Sequence, residues 1–301
     1  MEKVVVVGSS NVDTVIRVPH IPAPGETLLS LGLDICYGGK GANQAAAIAR
    51  LGGDIAMIGC VGADSFGDAM LSNLAGFGVN TDGIERAASE QSGAAYIYVS
   101  DDGENNIVVH PGANGCLTRE VLMRQKHLLT GVRYCIIQLE IPLDTLYYLA
   151  ELCREMDIRL ILNPAPAAKL DFTKLAGSWM IAPNQGELDL LVPGDDNTLS
   201  KARTLYQKGF GHVLVTLGAQ GCLLINADGE RQFPAFETRV KDTTAAGDCF
   251  IGALTYSLSR GHELAGAITF ANKAASIAVS RTGAQPSLPT LAEIEGVFGL
   301  L

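Results

Sequence analysis

Two carboxylates, Asp242 and Asp248, stand six positions apart and bracket the run Thr243-Thr244-Ala245-Ala246-Gly247. Phe250, Ile251, Leu254 and Leu258 follow at the spacing of one helix face. Residues 244–248 are therefore predicted to turn into a helix, with unpaired backbone N–H groups at its mouth. Small side chains let an anion approach those groups, and the helix dipole favours its charge. A carboxylate at the same mouth would repel a resting anion. Asp248 makes sense there if it takes a proton from a hydroxyl while the N–H groups of Ala245, Ala246 and Gly247 hold a phosphoryl group in transit. The alternative reading is an Asp that simply caps the helix.

The elements that must position these residues alternate along the chain. Short apolar runs at 4–7, 56–61, 134–139, 159–162, 179–182 and 213–217 read as strands. Helical patterns cover 42–51, 66–77, 143–155, 200–208, 250–259 and 264–279. Continuous apolar strands alternating with helices predict one α/β domain over 1–301, a central, mostly parallel sheet with helices on both faces. Ligands bind such sheets at the carboxyl ends of the strands. Polar residues recur there: Asn11 and Asp13, Glu140, Asn163, Asn184, and Thr216 with Gly218. Two β-rich segments, about 14–36 and 93–110, interrupt the alternation, with a hairpin loop at 101–105. They suggest a small, mostly antiparallel sheet inserted as a lid; an extension of the main sheet is the other possibility.

Several motifs exclude familiar chemistries. Gly8-Ser9-Ser10 after the first strand lacks the further glycines of a dinucleotide fingerprint, which disfavours a dehydrogenase. Gly38-Gly39-Lys40-Gly41-Ala42-Asn43-Gln44 opens a helix but lacks the P-loop spacing; a glycine hinge is its plain reading. Asn184 and Glu187, an amide and a carboxylate three apart, suit a hydrated Mg²⁺ or a capping box, and both can hold at once. Asn11 and Asp13 could form an Asx turn, and 216–221 a plain hairpin turn. The five histidines form no metal or triad signature.

The 301 residues are 48% apolar and 18% charged, enough for a sizeable core. A net charge of −10, with scattered Lys and Arg, argues against nucleic acid and anionic membranes as partners. Seven cysteines without a Cys-x-x-Cys, no 18-residue apolar run and no signal-peptide pattern lead to the expectation of a cytoplasmic protein without disulfides or zinc.

The 242–252 stretch resembles the C-terminal signature of the ribokinase-like (PfkB) carbohydrate kinases, and 38–45 resembles their N-terminal signature. Pro111–Asn114, Asn163–Pro166 and Gly283–Ser287 extend the likeness over nearly the whole chain, most fully toward the ribose-phosphorylating members. The resemblance implies transfer of the ATP γ-phosphoryl group to a primary hydroxyl, D-ribose giving ribose 5-phosphate. Another sugar or a nucleoside, or a non-catalytic sugar- or nucleotide-binding protein, are its alternatives. It implies Asp248 as base, and Asn11, Asp13, Gly39, Lys40, Asn43 and Glu140 on the sugar. Asn184 and Glu187 then lie near Mg²⁺ and phosphate, while Thr216, Gly218, Gly221, Gly247 and Asn272 contact the nucleotide. Asp242, Thr244, Ala278, Arg281, Gly283 and Ser287 would hold an activating K⁺. A homodimer joined through the lid sheet is also implied. Cys249, beside the base, raises the question of oxidation.

Overall fold

In the first strand, Val4 and Val6 are buried in one hydrophobic core and Val5 and Val7 in another. That alternation is what a strand covered on both faces requires. The computed structural model describes residues 1–194 and 197–299. Its main sheet has nine strands: β1 (Lys3–Val7), β4 (Ile55–Gly62), β5 (Asn80–Ala87), β8 (Val132–Ile137), β9 (Arg159–Leu162), β10 (Met180–Ile181), β11 (His212–Thr216), β12 (Cys222–Asn226) and β13 (Gly229–Phe233). Their spatial order is β13-β12-β11-β10-β9-β8-β1-β4-β5, parallel except for the β11-β12-β13 meander at one edge. Helices α1 (Lys40–Arg50), α2 (Ser65–Phe77), α8 (Ala246–Ser259), α9 (Leu264–Ala278) and α10 (Leu291–Phe298) pack with the Val4 and Val6 side. Helices α3 (Arg119–Arg124), α4 (Leu143–Glu155), α5 (Phe172–Leu175), α6 (Gln185–Leu191) and α7 (Thr198–Tyr206) cover the other face.

The inserted segments form a separate four-stranded sheet, β3-β2-β6-β7, not an extension of the first. It comprises β2 (Asn11–Val18), β3 (Gly32–Gly38), β6 (Gly93–Ser100) and β7 (Asn105–His110), with β2–β6 parallel and the outer pairs antiparallel. The first inserted segment thus begins three residues before its expected boundary and ends two after it, while the strands of the second run from Gly93 to His110. Asn11 and Asp13 are consequently ladder residues of β2, and the Asx-turn alternative is set aside.

The apolar-run reading did not reach β5 and β13. Both are edge strands rich in polar residues, with β13 exposed over Gly229–Gln232 and β5 only partly buried, so neither carries a continuous hydrophobic stretch. No helix among the described residues is long and apolar enough to cross a membrane, and all seven cysteines are free.

Candidate active site

Helix α8 begins at Ala246, with Ala245 as its N-cap at φ 57. A left-handed alanine is unusual and marks a constrained turn. Asp248 is therefore the third residue inside the helix, not its cap, and its side chain makes no capping bond. Its carboxylate instead accepts from the Asn43 amide at 3.0 Å and from the Gln44 amide at 2.9 Å, both on α1. Gly252, one turn further along α8, explains how those amides reach it. A Cβ there would lie 2.6 Å from the Ala47 Cβ and 3.0 Å from the Gln44 carbonyl, so only glycine lets the helices come this close.

Gln44 is the hub of a buried amide network. It also donates to Asn163 Oδ1 at 3.0 Å and accepts from Gln138 Nε2 at 2.6 Å. Asn163 in turn donates to the Ala182 carbonyl. The ends of β8, β9 and β10 are thus tied to Asp248 through side-chain amides. Burial pushes the Asp248 carboxyl up from its ordinary range, against the Lys40 charge and the Asn43 and Gln44 amides. A carboxylate raised in this way is a stronger base than an ordinary one.

Asp13, Glu140 and Asp248 converge. Burial pushes Asp13 up to about 7, with the charges of Glu140 and Asp248 adding to the effect. Glu140 Oε2 accepts from the Ser9 hydroxyl at 2.5 Å and from the Lys40 backbone N–H at 3.0 Å, which seats it at the start of α1. Gly39 just before that helix has φ +86, and a Cβ there would meet Asn11 N and Ser10 Cα at 2.8 Å. Asn11 Oδ1 accepts from Asn114 Nδ2 at 2.7 Å, while Asn43 Oδ1 is buried with no partner. Three acceptor carboxylates with an orphaned amide oxygen form a surface for a neutral, hydroxyl-rich molecule.

Beyond Asp248 lies a small cavity of about 190 Å³, lined by Lys40, Asn184, Glu187, Thr216 and the 245–248 turn among others. It shares Thr216, Thr243, Ala246 and Gly247 with a larger cleft of about 890 Å³ that reaches Gly218, Gly221 and Asn272. The expected anion-holding turn is present with one modification. The Ala246 N–H donates to the Thr243 carbonyl at 3.2 Å, so of the three expected N–H groups those of Ala245 and Gly247 are left without an acceptor among the described residues.

Asn184 and Glu187 form a complete capping box on α6, so that reading holds. They also line the small cavity, where burial raises the Glu187 carboxyl while Asn184 and Lys40 oppose the rise. Residues 216–221 are indeed the turn of the β11–β12 hairpin, and they line the larger cleft as well. Asn272 Nδ2 donates to the Pro234 carbonyl at 3.1 Å at the cleft wall.

Asp242 joins two loops, accepting from Thr244 N and Gly283 N, each at 2.8 Å. Burial works against its ionisation, but the Thr244 and Gly283 bonds outweigh it and hold the carboxyl below its ordinary range. Arg281 pairs with Glu293 at 2.7 Å, the Arg281 N–H bonds the Ala278 carbonyl, and Ser287 donates to the Ala284 carbonyl. Cys249 is almost wholly buried, and burial pushes its thiol up to about 12, which makes it unreactive rather than an oxidation target.

Gln44, Gln138, Asn163 and Asn114 were the site residues that local reading did not assign. Gln44, Asn114 and Asn163 lie inside the motifs named above and Gln138 near the end of an apolar run, but an amide that orients another side chain leaves no spacing of its own.

The sequence pattern of the pfkB family carbohydrate kinases matches residues 1–291. The ribokinase of Haemophilus influenzae is 39% identical over 293 residues, covering 96% of this chain and 95% of its own. The deoxyribokinase of Salmonella typhi is 34% identical over 302 residues, with 99% of each chain covered. Among solved structures, the ribokinase of Arabidopsis thaliana complexed with ribose and ATP superposes with a TM-score of 0.91 at 27% identity, covering 100% of both chains. A match of such length, with the two signatures folded onto one pair of clefts, places this chain in the pfkB family of carbohydrate kinases.

Proposed function

We infer that the protein is an ATP-dependent sugar kinase that phosphorylates D-ribose at its primary hydroxyl, giving ribose 5-phosphate. The observation that carries this is the position of Asp248. It stands between the acceptor-rich face of Asp13, Glu140 and Asn43 and the turn whose N–H groups open into the small cavity. In this reading the sugar hydroxyls donate to Asp13 and to Asn43 Oδ1, and Asp248 takes the proton of the attacking hydroxyl. The free N–H groups of Ala245 and Gly247 stabilise the migrating phosphoryl group, with Lys40 close by. The nucleotide lies along Thr216, Gly218, Gly221 and Asn272.

Asn184 and Glu187 would hold Mg²⁺ through water. No group of three or more His, Cys, Asp or Glu forms a metal cage among the described residues, which fits an ion carried mainly by phosphate oxygens. When bound, Mg²⁺ neutralises charge on those oxygens. For a monovalent ion, Asp242 and Ser287 offer side-chain oxygens, and the 242–244 and 278–287 segments already meet where the Asp242 N–H donates to the Val279 carbonyl at 3.2 Å. K⁺ there would order the anion-binding turn without touching ATP.

Register places Leu33, Ile35, Tyr96 and Val108 on one exposed face of the small sheet. That apolar face supports a homodimer joined through the lid. The opposite face carries Asp13, Ile97 and Val109 and would help choose the sugar. Seven free thiols suit a reducing cytoplasm.

The deciding experiment is ATP turnover with Mg²⁺ and K⁺ across pentoses, hexoses and nucleosides. Highest kcat/KM with ribose is expected. A preference for 2-deoxyribose, the substrate class named for the Salmonella relative, would keep the mechanism and replace the substrate. Absence of any sugar-dependent turnover would overturn the kinase reading.

A further inference from the structure

The four strands that carry Gln138, Asn163, Asn184 and Thr216 at their carboxyl ends begin around a second cleft at their amino ends. It has a volume of about 670 Å³ and is lined by Arg133, Arg154, Arg159, Ser178 and Trp179 among others. That volume is within the range of small-molecule sites. In a chain of net charge −10, three guanidinium groups here face one lining carboxylate, Asp157, which pairs with Arg133 at 3.3 Å and is almost fully solvated.

Arg159 is held in place before any ligand arrives. Its Nη1 donates to the Tyr134 hydroxyl at 2.7 Å, and its guanidinium lies 5.5 Å from the ring centroids of both Tyr134 and Trp179. Arg154 is fixed at one nitrogen by the Lys174 and Ala176 carbonyls. A guanidinium has five N–H donors, so each of these groups keeps others for a ligand. Fixed arginine forks match oxyanion geometry and lose little freedom on binding. A second observation points the same way. Ser178 is 3% exposed, lines the cleft, and its buried hydroxyl has no hydrogen-bond partner. An unpartnered buried hydroxyl is costly unless something completes it.

We propose that this cleft is a second binding site, distinct from the sugar and nucleotide clefts, for a small ligand bearing a phosphoryl group. Arg133, Arg154 and Arg159 would neutralise its charge, and Ser178 would donate to one of its oxygens. The carbon skeleton of the ligand, if it has one, would lie against Trp179.

Trp179 is the sole tryptophan of the chain, so its emission reports on this cleft alone. The test titrates the full-length protein with inorganic phosphate, ribose 5-phosphate and AMP at constant ionic strength. Saturating sugar and a non-hydrolysable Mg²⁺–ATP analogue keep the other clefts filled. A saturable change in emission is expected with at least one ligand, and the tightest one identifies free phosphate, a sugar phosphate or a nucleotide as the source. Joint replacement Arg133→Ala and Arg154→Ala should weaken that binding roughly tenfold or more. Neither residue belongs to the kinase machinery, so sugar-dependent turnover of the variant without added anion should be unchanged, which also shows that it folds. No saturable change with any of the three, or equal affinity in the double variant, would overturn the proposal.

Discussion

The Asn43 amide meets the Asp248 carboxylate at 3.0 Å although 205 positions separate them in the chain. The contact exists because α1 and α8 pack closely at Gly252, and the neighbouring Gln44 holds the other carboxylate oxygen. The proposed base is therefore oriented by two amides before any substrate binds.

Replacing the base itself gives the sharpest expectation. Asp248→Asn should lower kcat by roughly 10²–10⁴-fold, the range for a lost general base, while the sugar still binds. Steady-state turnover paired with calorimetric sugar binding checks this. Undiminished turnover would remove Asp248 from the role.

Gln44 separates orientation from chemistry. Gln44→Ala should cost about 1–3 kcal/mol of stability, because Gln138 and Asn163 lose a buried partner. Gln44→Glu instead places a like charge against Asp248 and should move the acidic limb of the kcat/KM profile to higher pH. A profile unmoved by Gln44→Glu would show that the contact does not tune the base.

Asp13 carries a pH signature. With its carboxyl raised to about 7 from 3.8, the folded chain retains a proton that the unfolded chain releases between those values. Stability should therefore fall as pH rises through that window. Asp13→Asn should remove the fall, raising Tm at pH 8 by roughly 2–4 °C, the shift that about 1 kcal/mol produces in a large domain. The same variant should bind sugar more weakly. Melting curves at pH 5 and pH 8 decide it; equal Tm differences at the two pH values would contradict the coupling.

Gly252→Ala tests helix approach. The new Cβ would sit 2.6 Å from Ala47 Cβ, so α1 and α8 must separate. A loss of about 1–3 kcal/mol is expected from overpacking, together with lower kcat as Asn43 and Gln44 withdraw from Asp248. Denaturant unfolding and turnover measured on one preparation would show both effects or neither.

Asp242→Ala removes the acceptor that joins Thr244 to Gly283. KM for ATP should rise and K⁺ stimulation should disappear, while sugar affinity is kept. Persistence of K⁺ stimulation in this variant would place the monovalent ion elsewhere.

Local signals alone specified much of this protein. The valines of β1 and the helical spacing after Asp248 report burial on one or both faces, and burial is written residue by residue into side-chain type. Glycine positions and the Asn184–Glu187 pair were legible for the same reason, since turns and caps are made by neighbours in sequence. Polar edge strands such as β5 carry no such signal, because their ladder bonds are backbone bonds that almost any side chain permits. Whether Asp248 is a cap or a buried carboxylate was also beyond local reading, since its partners lie on another helix. Tertiary packing decided that question, as it decided the convergence of Asp13, Glu140 and Asp248 and the gathering of three arginines at the far ends of the strands. Distance between residues remote in sequence is set by how whole elements pack, and no local spacing encodes it.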